Sequence, residues 1–140
     1  MIGALIAKRK VRAAFSYFNN RDIPRFLASW DEHAVFIYPG DVSASGIVTG
    51  KIDIESWFTH LMDAGPSVHF TLKSIAVENI LDVVGTNVMC AEWENAVTNR
   101  EGKKMVICGV SMIKLKRGKI IQVRDYIFNP EKLPLAWCET

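Results

Sequence analysis

A chain of 140 residues, 49% hydrophobic and 23% charged, has the make-up of a soluble globular protein with length for one core, which excludes a disordered polymer. A net charge of +2, with only the short basic stretches KRKVR (8–12) and LKRGK (115–119), is too mild for a nucleic-acid footprint. No apolar run approaches a membrane span, the N-terminus places apolar residues before basic ones (the reverse of a secretory signal), and Cys90, Cys108 and Cys138 form no CxxC pair. A reducing cytoplasm is the expected compartment. No repeat or linker divides the chain, so residues 1–140 read as a single domain with 129–140 as a C-terminal tail.

The chain opens on a helical pattern. Leu5, Val11, Ala14, Phe15 and Phe18 recur at three- and four-residue spacing, while Lys8, Arg9, Lys10 and Arg12 fall on other faces. Asn20-Arg21-Asp22 interrupts it, and Asp22 is a good N-cap for a second helix, IPRFLASW (23–30), with Pro24 tolerated in its first turn. AVFIY (34–38) reads as a strand ended by Pro39-Gly40. The loop GDVSASG (40–46) lacks the lysine and following helix of a phosphate-binding loop and reads as a mobile rim. KIDIESWFTHLM (51–62) is a third helix, with Ile54, Trp57, Phe58 and Leu61 on one side, stopped at Gly65-Pro66. Strands are expected at 67–80, 86–99, 104–116 and 119–128, the last three joined by turns at Asn99-Arg100-Glu101-Gly102 and Lys116-Arg117-Gly118. Three helices followed by antiparallel hairpins make an α+β domain.

The segment AEWEN (91–95) directs the search for chemistry. Glu92 and Glu94 share one face of their strand, with Trp93 on the other. Folding the first turn about residue 101 sets Glu92 opposite Val110, and folding the second about 117–118 sets Asp125 opposite Val110. Glu92, Val110 and Asp125 then form one row, with Glu94 a step along and Cys90 and Val123 beside them. Such an acidic cluster in an apolar setting would raise carboxyl pKa values by desolvation. One residue of slip would break the row. The opposite face, with Met89, Trp93, Ile107, Ile113, Tyr126 and Phe128, is apolar as well. Helices can cover one face and a second subunit the other. Periodicity leaves open which face the helices take.

FSYFNNRDIPRFLASWDEHAVFIYPG (15–40), GKIDIESWF (50–58) and GKIIQVRDYIFNP (118–130), in that order, resemble the SnoaL-like branch of the nuclear transport factor 2-like (ketosteroid isomerase-like) superfamily. The closing RDY is the most specific piece. The resemblance implies a cone-shaped barrel of three N-terminal helices packed on a strongly curved, mainly antiparallel sheet that encloses an apolar pocket. It also implies that Asp125 points into that pocket and that the outer sheet face packs in a homodimer. With the hairpin register above, Glu92 and Glu94 then face inward and Trp93 goes to the subunit interface.

Steroid isomerisation does not fit the resemblance, because the tyrosine and two acids that those isomerases use align near Ala14, Tyr38 and Val110 to Met112. Limonene epoxide hydrolase-like members use an Arg-x-Asp and the closing aspartate; Glu94 and Asp125 match the acids, but Glu92 stands where the arginine would be. SnoaL-type polyketide cyclases use the closing-strand aspartate as acid and base, and Asp125 matches it. The expected activity is proton transfer, without metal or organic cofactor, on a mostly apolar small molecule, as an isomerase, a cyclase or a hydratase or hydrolase. The alternative is a non-catalytic binding domain of the same fold. Asp125 and Glu94 are the candidate acid/base pair. Tyr38 would orient the substrate, and Glu92, Phe36, Phe58, Cys90, Val110 and Val123 would line the pocket, with plain core packing the competing role for the phenylalanines. Asp31-Glu32-His33 are consecutive and converge poorly on one ion. The tail is expected to pack back over the domain or onto a partner chain.

Overall fold

A computed structural model describes residues 2–81 and 85–139; Met1 and Thr140, part of the opening segment and the tail as read from sequence, lie outside the described residues. Helices α1 (Ile2–Asn19) and α2 (Ile23–Leu27) precede strand β1 (Trp30–Tyr38), which is followed by β2 (Gly46–Thr49) and helix α3 (Lys51–Ala64). Strands β3 (Ser67–Val77), β4 (Thr86–Thr98), β5 (Lys104–Lys116) and β6 (Lys119–Ile127) come next, and a 3₁₀ turn (Pro130–Lys132) leads into α4 (Leu133–Ala136). The strands form one curved, unclosed six-stranded sheet in the order β2-β1-β6-β5-β4-β3. All neighbours are antiparallel except β1 and β6, which run parallel. The long helices bury Val11, Phe18, Ile54, Phe58 and Leu61 against its concave face. No described helix is long and apolar enough to cross a membrane.

Local signals explain most elements, and three departures have tertiary causes. Asp22 caps α2 by accepting from the Arg25 amide at 3.2 Å, yet the helix stops at Leu27 and does not run on through Trp30. Trp30 is drawn into the sheet instead, paired with Ile120, whose amide donates to the Ser29 carbonyl at 2.8 Å. Its buried indole packs on Phe26, Phe36 and Phe58. Burying a side chain of this size is worth roughly 2–3 kcal/mol, more than the helix propensity of the three residues given up. In the second departure, Gly46–Thr49 pairs with β1, from Tyr38 opposite Gly46 to Val35 opposite Thr49. The rim loop is tied down as well: the Ser45 hydroxyl accepts from the Val42 amide at 3.0 Å and donates to the Pro39 carbonyl at 2.8 Å.

The third departure governs the site. The β4–β5 register is the expected one, with Glu92 opposite Val110. The β5–β6 hairpin also starts as expected, Lys116 opposite Lys119 and Leu115 opposite Ile120, but Lys114 then pairs with Gln122 and Ser111 with Asp125. Ile121 is the extra residue of a bulge. Every β6 side chain beyond it changes face relative to the simple hairpin count. Asp125 thus parts from Glu92 and joins Trp93 and Ser111 on the concave side.

Polar clamps hold the frame. The Asn19 side chain donates to the Phe70 carbonyl and accepts from the Phe70 amide, both at 2.8 Å, pinning the end of α1 to β3. The tail packs back over the domain. Leu133 and Ala136 are buried, Asn99 donates to the Leu135 carbonyl at 2.9 Å, and the Glu139 carboxylate accepts from the Ser43 amide and hydroxyl.

Candidate active site

Between the concave sheet face and the helices lies a cavity of about 310 Å³, at the lower end of the range that small-molecule sites occupy. Its walls are mostly apolar and rich in aromatic rings. Trp57 meets Phe36 at 4.9 Å and Tyr38 at 5.1 Å between ring centroids, and Trp93 meets Phe70 at 5.0 Å. From the tail, Trp137 reaches Tyr38 at 6.2 Å.

Asp125 is the acid in this wall. Its Oδ1 accepts from the Ser111 hydroxyl at 2.6 Å, and Ser111 Oγ accepts from Trp93 Nε1 at 2.9 Å. This chain of donors holds one carboxyl oxygen, while Oδ2 has no protein donor among the described residues. Asp125 retains some accessible surface, but that surface opens on the cavity, and protein surrounds the carboxyl. Desolvation therefore dominates and lifts its pKa from 3.8 to about 7, against the opposing pull of the Ser111 hydrogen bond. Trp93 reaches Ser111 because Gly109 stands opposite it on β5. A Cβ on Gly109 would meet the indole at 2.7 Å and the Tyr126 carbonyl at 2.5 Å.

Tyr38 also lines the cavity, and its oxygen accepts from Trp137 Nε1 at 3.2 Å. Its phenol is pushed up to about 12, first by burial, with the Asp125 charge adding and the Trp137 hydrogen bond opposing. Tyr38 is consequently a donor at any physiological pH.

Phe36, Phe58 and Val123 line the same cavity. Glu94, Glu92, Cys90 and Val110 do not: they occupy the convex face, which corrects the row inferred from turn counting. Glu94 lies 3.7 Å from Lys73, and Glu92 accepts from the Ser74 hydroxyl at 2.9 Å. Cys90, whose thiol is pushed up by burial and by Glu92, sits beside them. The cause is the Ile121 bulge, which leaves β4 in register and turns β6 over. Trp93 is correspondingly a cavity wall, 3% exposed, and not a subunit contact.

Ser111, Trp93 and Trp137 were not singled out for the site by sequence reasoning. One signal for the first two was present: a glycine within a long strand marks close approach of another group, and Gly109 faces Trp93 in the hairpin count that held. Trp137 carried no such signal, since its place depends on how the tail folds back. Among the described residues no three His, Cys, Asp or Glu side chains converge as metal ligands would.

Residues 11–123 match the family model described as a SnoaL-like domain. In fold the chain is similar to Bal32a from a soil-derived mobile gene cassette, at 20% identity over 93% of this chain and 95% of that one, with a TM-score of 0.79. It is similar to a Bacillus subtilis protein provisionally named an isomerase, at 23% identity over 100% and 98% of the two chains, TM-score 0.77. A Pseudomonas putida protein provisionally named a polyketide cyclase aligns at 19% identity over 91% and 95%, TM-score 0.64. No curated protein matches the chain in sequence.

Proposed function

We propose, for a chain that belongs to the SnoaL-like domain family, a cofactor-independent enzyme in which Asp125 moves a proton on a mostly apolar small molecule. The observation that carries this reading is a desolvated carboxyl, anchored through one oxygen by Ser111, in the wall of an aromatic cavity. With its pKa lifted to about 7, Asp125 is poised near neutral pH as base and then as acid. It takes a proton from a carbon made acidic by an adjacent carbonyl; the C–H electron pair enters the substrate's π system, and the carboxyl returns the proton to another atom of the same substrate. Nothing else is consumed, so isomerisation and ring closure both balance. Tyr38 donates its O–H to the substrate oxygen where negative charge gathers, while its own oxygen is held by Trp137. The provisional names isomerase and polyketide cyclase among the fold relatives support this reaction class. Glu94, on the convex face, has no part in it.

The test is proton NMR in D₂O on a panel of apolar ketones and enones. Exchange of protons alpha to the carbonyl with the wild type, lost in Asp125→Asn, is the expected result. Compounds that raise the melting temperature but exchange equally slowly with both proteins would sink catalysis and leave a binding domain of the same fold. A homodimer through the convex face belongs to the same reading, supported by Val106, Tyr126 and Phe128, which are 44%, 47% and 60% exposed there. A solution mass that stays monomeric in the wild type would dispose of it.

A further inference from the structure

Asn95 gives the cavity a buried polar point that the proton chemistry does not use. It stands on β4 opposite Ile107, lines the cavity and is 7% exposed. Its side-chain oxygen accepts from the His69 amide at 3.2 Å. Only the oxygen can accept from an N–H, so this bond sets the orientation of the amide and leaves Nδ2 with both hydrogens unused. No acceptor among the described residues takes them. Nor is the nitrogen sealed in: Trp30 Nε1 is the described side-chain nitrogen that is both fully enclosed and unpartnered, whereas Asn95 Nδ2 keeps open surface. Both N–H groups are therefore open to an acceptor on a molecule bound in the cavity.

Asn95 is remote from the acid. Asp125 lies opposite Ser111 and Asn95 opposite Ile107, on strands to either side of β5. Two strand spacings and four residues set their Cα atoms on the order of 15 Å apart, with the Trp93 indole between them. The cavity thus has an acid at the level of Ser111, a free N–H donor at the level of Ile107, and the Trp93 ring between them, while Ile113, Leu115 and Gly118 carry its wall on beyond the acid.

We infer that the cavity takes an elongated, mostly aromatic molecule with a hydrogen-bond acceptor, such as a carbonyl or ether oxygen, at the end remote from the reacting group, and that Asn95 Nδ2 selects it. The assignment of the reacting end rests on the proposed role of Asp125. A site built to donate to an oxygen discriminates against the shape-matched molecule that lacks it.

Calorimetric titration with two probes tests this: 4-acetyl-4′-hydroxybiphenyl, and the same scaffold with isopropyl in place of acetyl. The wild type should bind the acetyl probe roughly three- to ten-fold more tightly, as one neutral hydrogen bond allows. Asn95→Leu should bring the ratio to within about two-fold by removing that bond while keeping the side-chain volume. Equal affinity of the two probes for the wild type overturns the inference, as does an acetyl preference that survives in Asn95→Leu, or failure of both probes to bind. Asn95→Leu leaves the His69 amide without its acceptor; if that variant does not fold, Asn95→Asp, which keeps an oxygen for that amide and has no N–H to donate, takes its place and should equalise the two probes in the same way. The proton-transfer reading is judged separately. Loss of that reading, by exchange that ignores Asp125→Asn, leaves the acetyl preference and the Asn95 assignment standing.

Discussion

The convex face of β4, β5 and β6 holds two carboxyls, Glu92 and Glu94, and the concave face holds one, Asp125, in different chemistry. On the convex side Glu94 is about half exposed and meets a half-exposed Lys73 at 3.7 Å, a pair of the kind that contributes little because water competes for both partners. Glu92 shares a hydrogen bond with Ser74 at the surface. On the concave side Asp125 has one hydroxyl donor at 2.6 Å and rings in place of water. Each residue brings one ionisable carboxyl. What differs is what has replaced the solvent, and this alone makes Asp125 a proton-transfer candidate while the two glutamates remain surface groups.

The comparison breaks first at Asp125. Asp125→Asn should lower the exchange rate on an active substrate by roughly 10²–10⁴-fold, the usual worth of a positioned acid or base, whereas Glu92→Gln and Glu94→Gln should leave it unchanged. For the base step the rate should climb through about pH 7 as Asp125 ionises. The same group sets a pH dependence of stability. Because the folded pKa is raised from 3.8 to about 7, the folded state binds the proton more tightly than the unfolded one. That contribution is fully present below the unfolded pKa and is lost as pH rises through about 7. Asparagine has no such loss, so the melting temperature of Asp125→Asn should gain on the wild type between pH 4 and pH 8, by the equivalent of on the order of 1–4 kcal/mol. A constant difference across that range would mean that the carboxyl is solvated.

A second contrast lies in the floor beneath the acid. Gly109→Ala forces a methyl into the Trp93 indole and the Tyr126 carbonyl, and overpacking of this kind costs about 1–3 kcal/mol. Cys108→Ala, one residue away on the convex face, should cost well under that. If the two variants melt alike, the indole does not lie where the close approach at Gly109 requires. Ser111→Ala is subtler. It strands the buried Trp93 Nε1, a loss of about 1–3 kcal/mol, and it removes the hydrogen bond that opposes desolvation. The Asp125 carboxyl carbon should then titrate still higher by NMR. A downward move would show that Ser111 does not donate to the ionised acid. Smallest of all, Glu94→Gln should shift stability by less than about 0.5 kcal/mol.

Much of this was legible in the chain. The helix spacing of Val11, Phe15 and Phe18, the Asp22 cap, and the turn at Asn99 to Gly102 act over a few residues, and each appears where its local signal stands. The RDY resemblance assigned Asp125 to the pocket, and the hairpin count then carried Glu92 and Glu94 inward with it. That step failed because β6 answers to two neighbours. It pairs antiparallel with β5 and parallel with β1, and both ladders are irregular at one level: Ile121 bulges from β5, while β1 skips from Trp30 opposite Ile120 to Val35 opposite Gln122. No turn residue announces a bulge placed by simultaneous docking on both sides.

By itself the sequence determined the kinds and order of most elements, β2 and α4 apart, and the apolar character of both sheet faces, since periodicity, caps and turns are short-range. Through the family resemblance it also pointed to a single closing-strand acid. Only the tertiary structure decided which side chains share that acid's cavity. A bulge of one residue reverses every later side chain on a strand, and the tail that brings Trp137 to Tyr38 closes over a loop nearly a hundred residues earlier. Both depend on pairings between segments remote along the chain, where local propensity exerts no preference and the burial of rings such as Trp30, Trp93 and Trp137 settles the outcome.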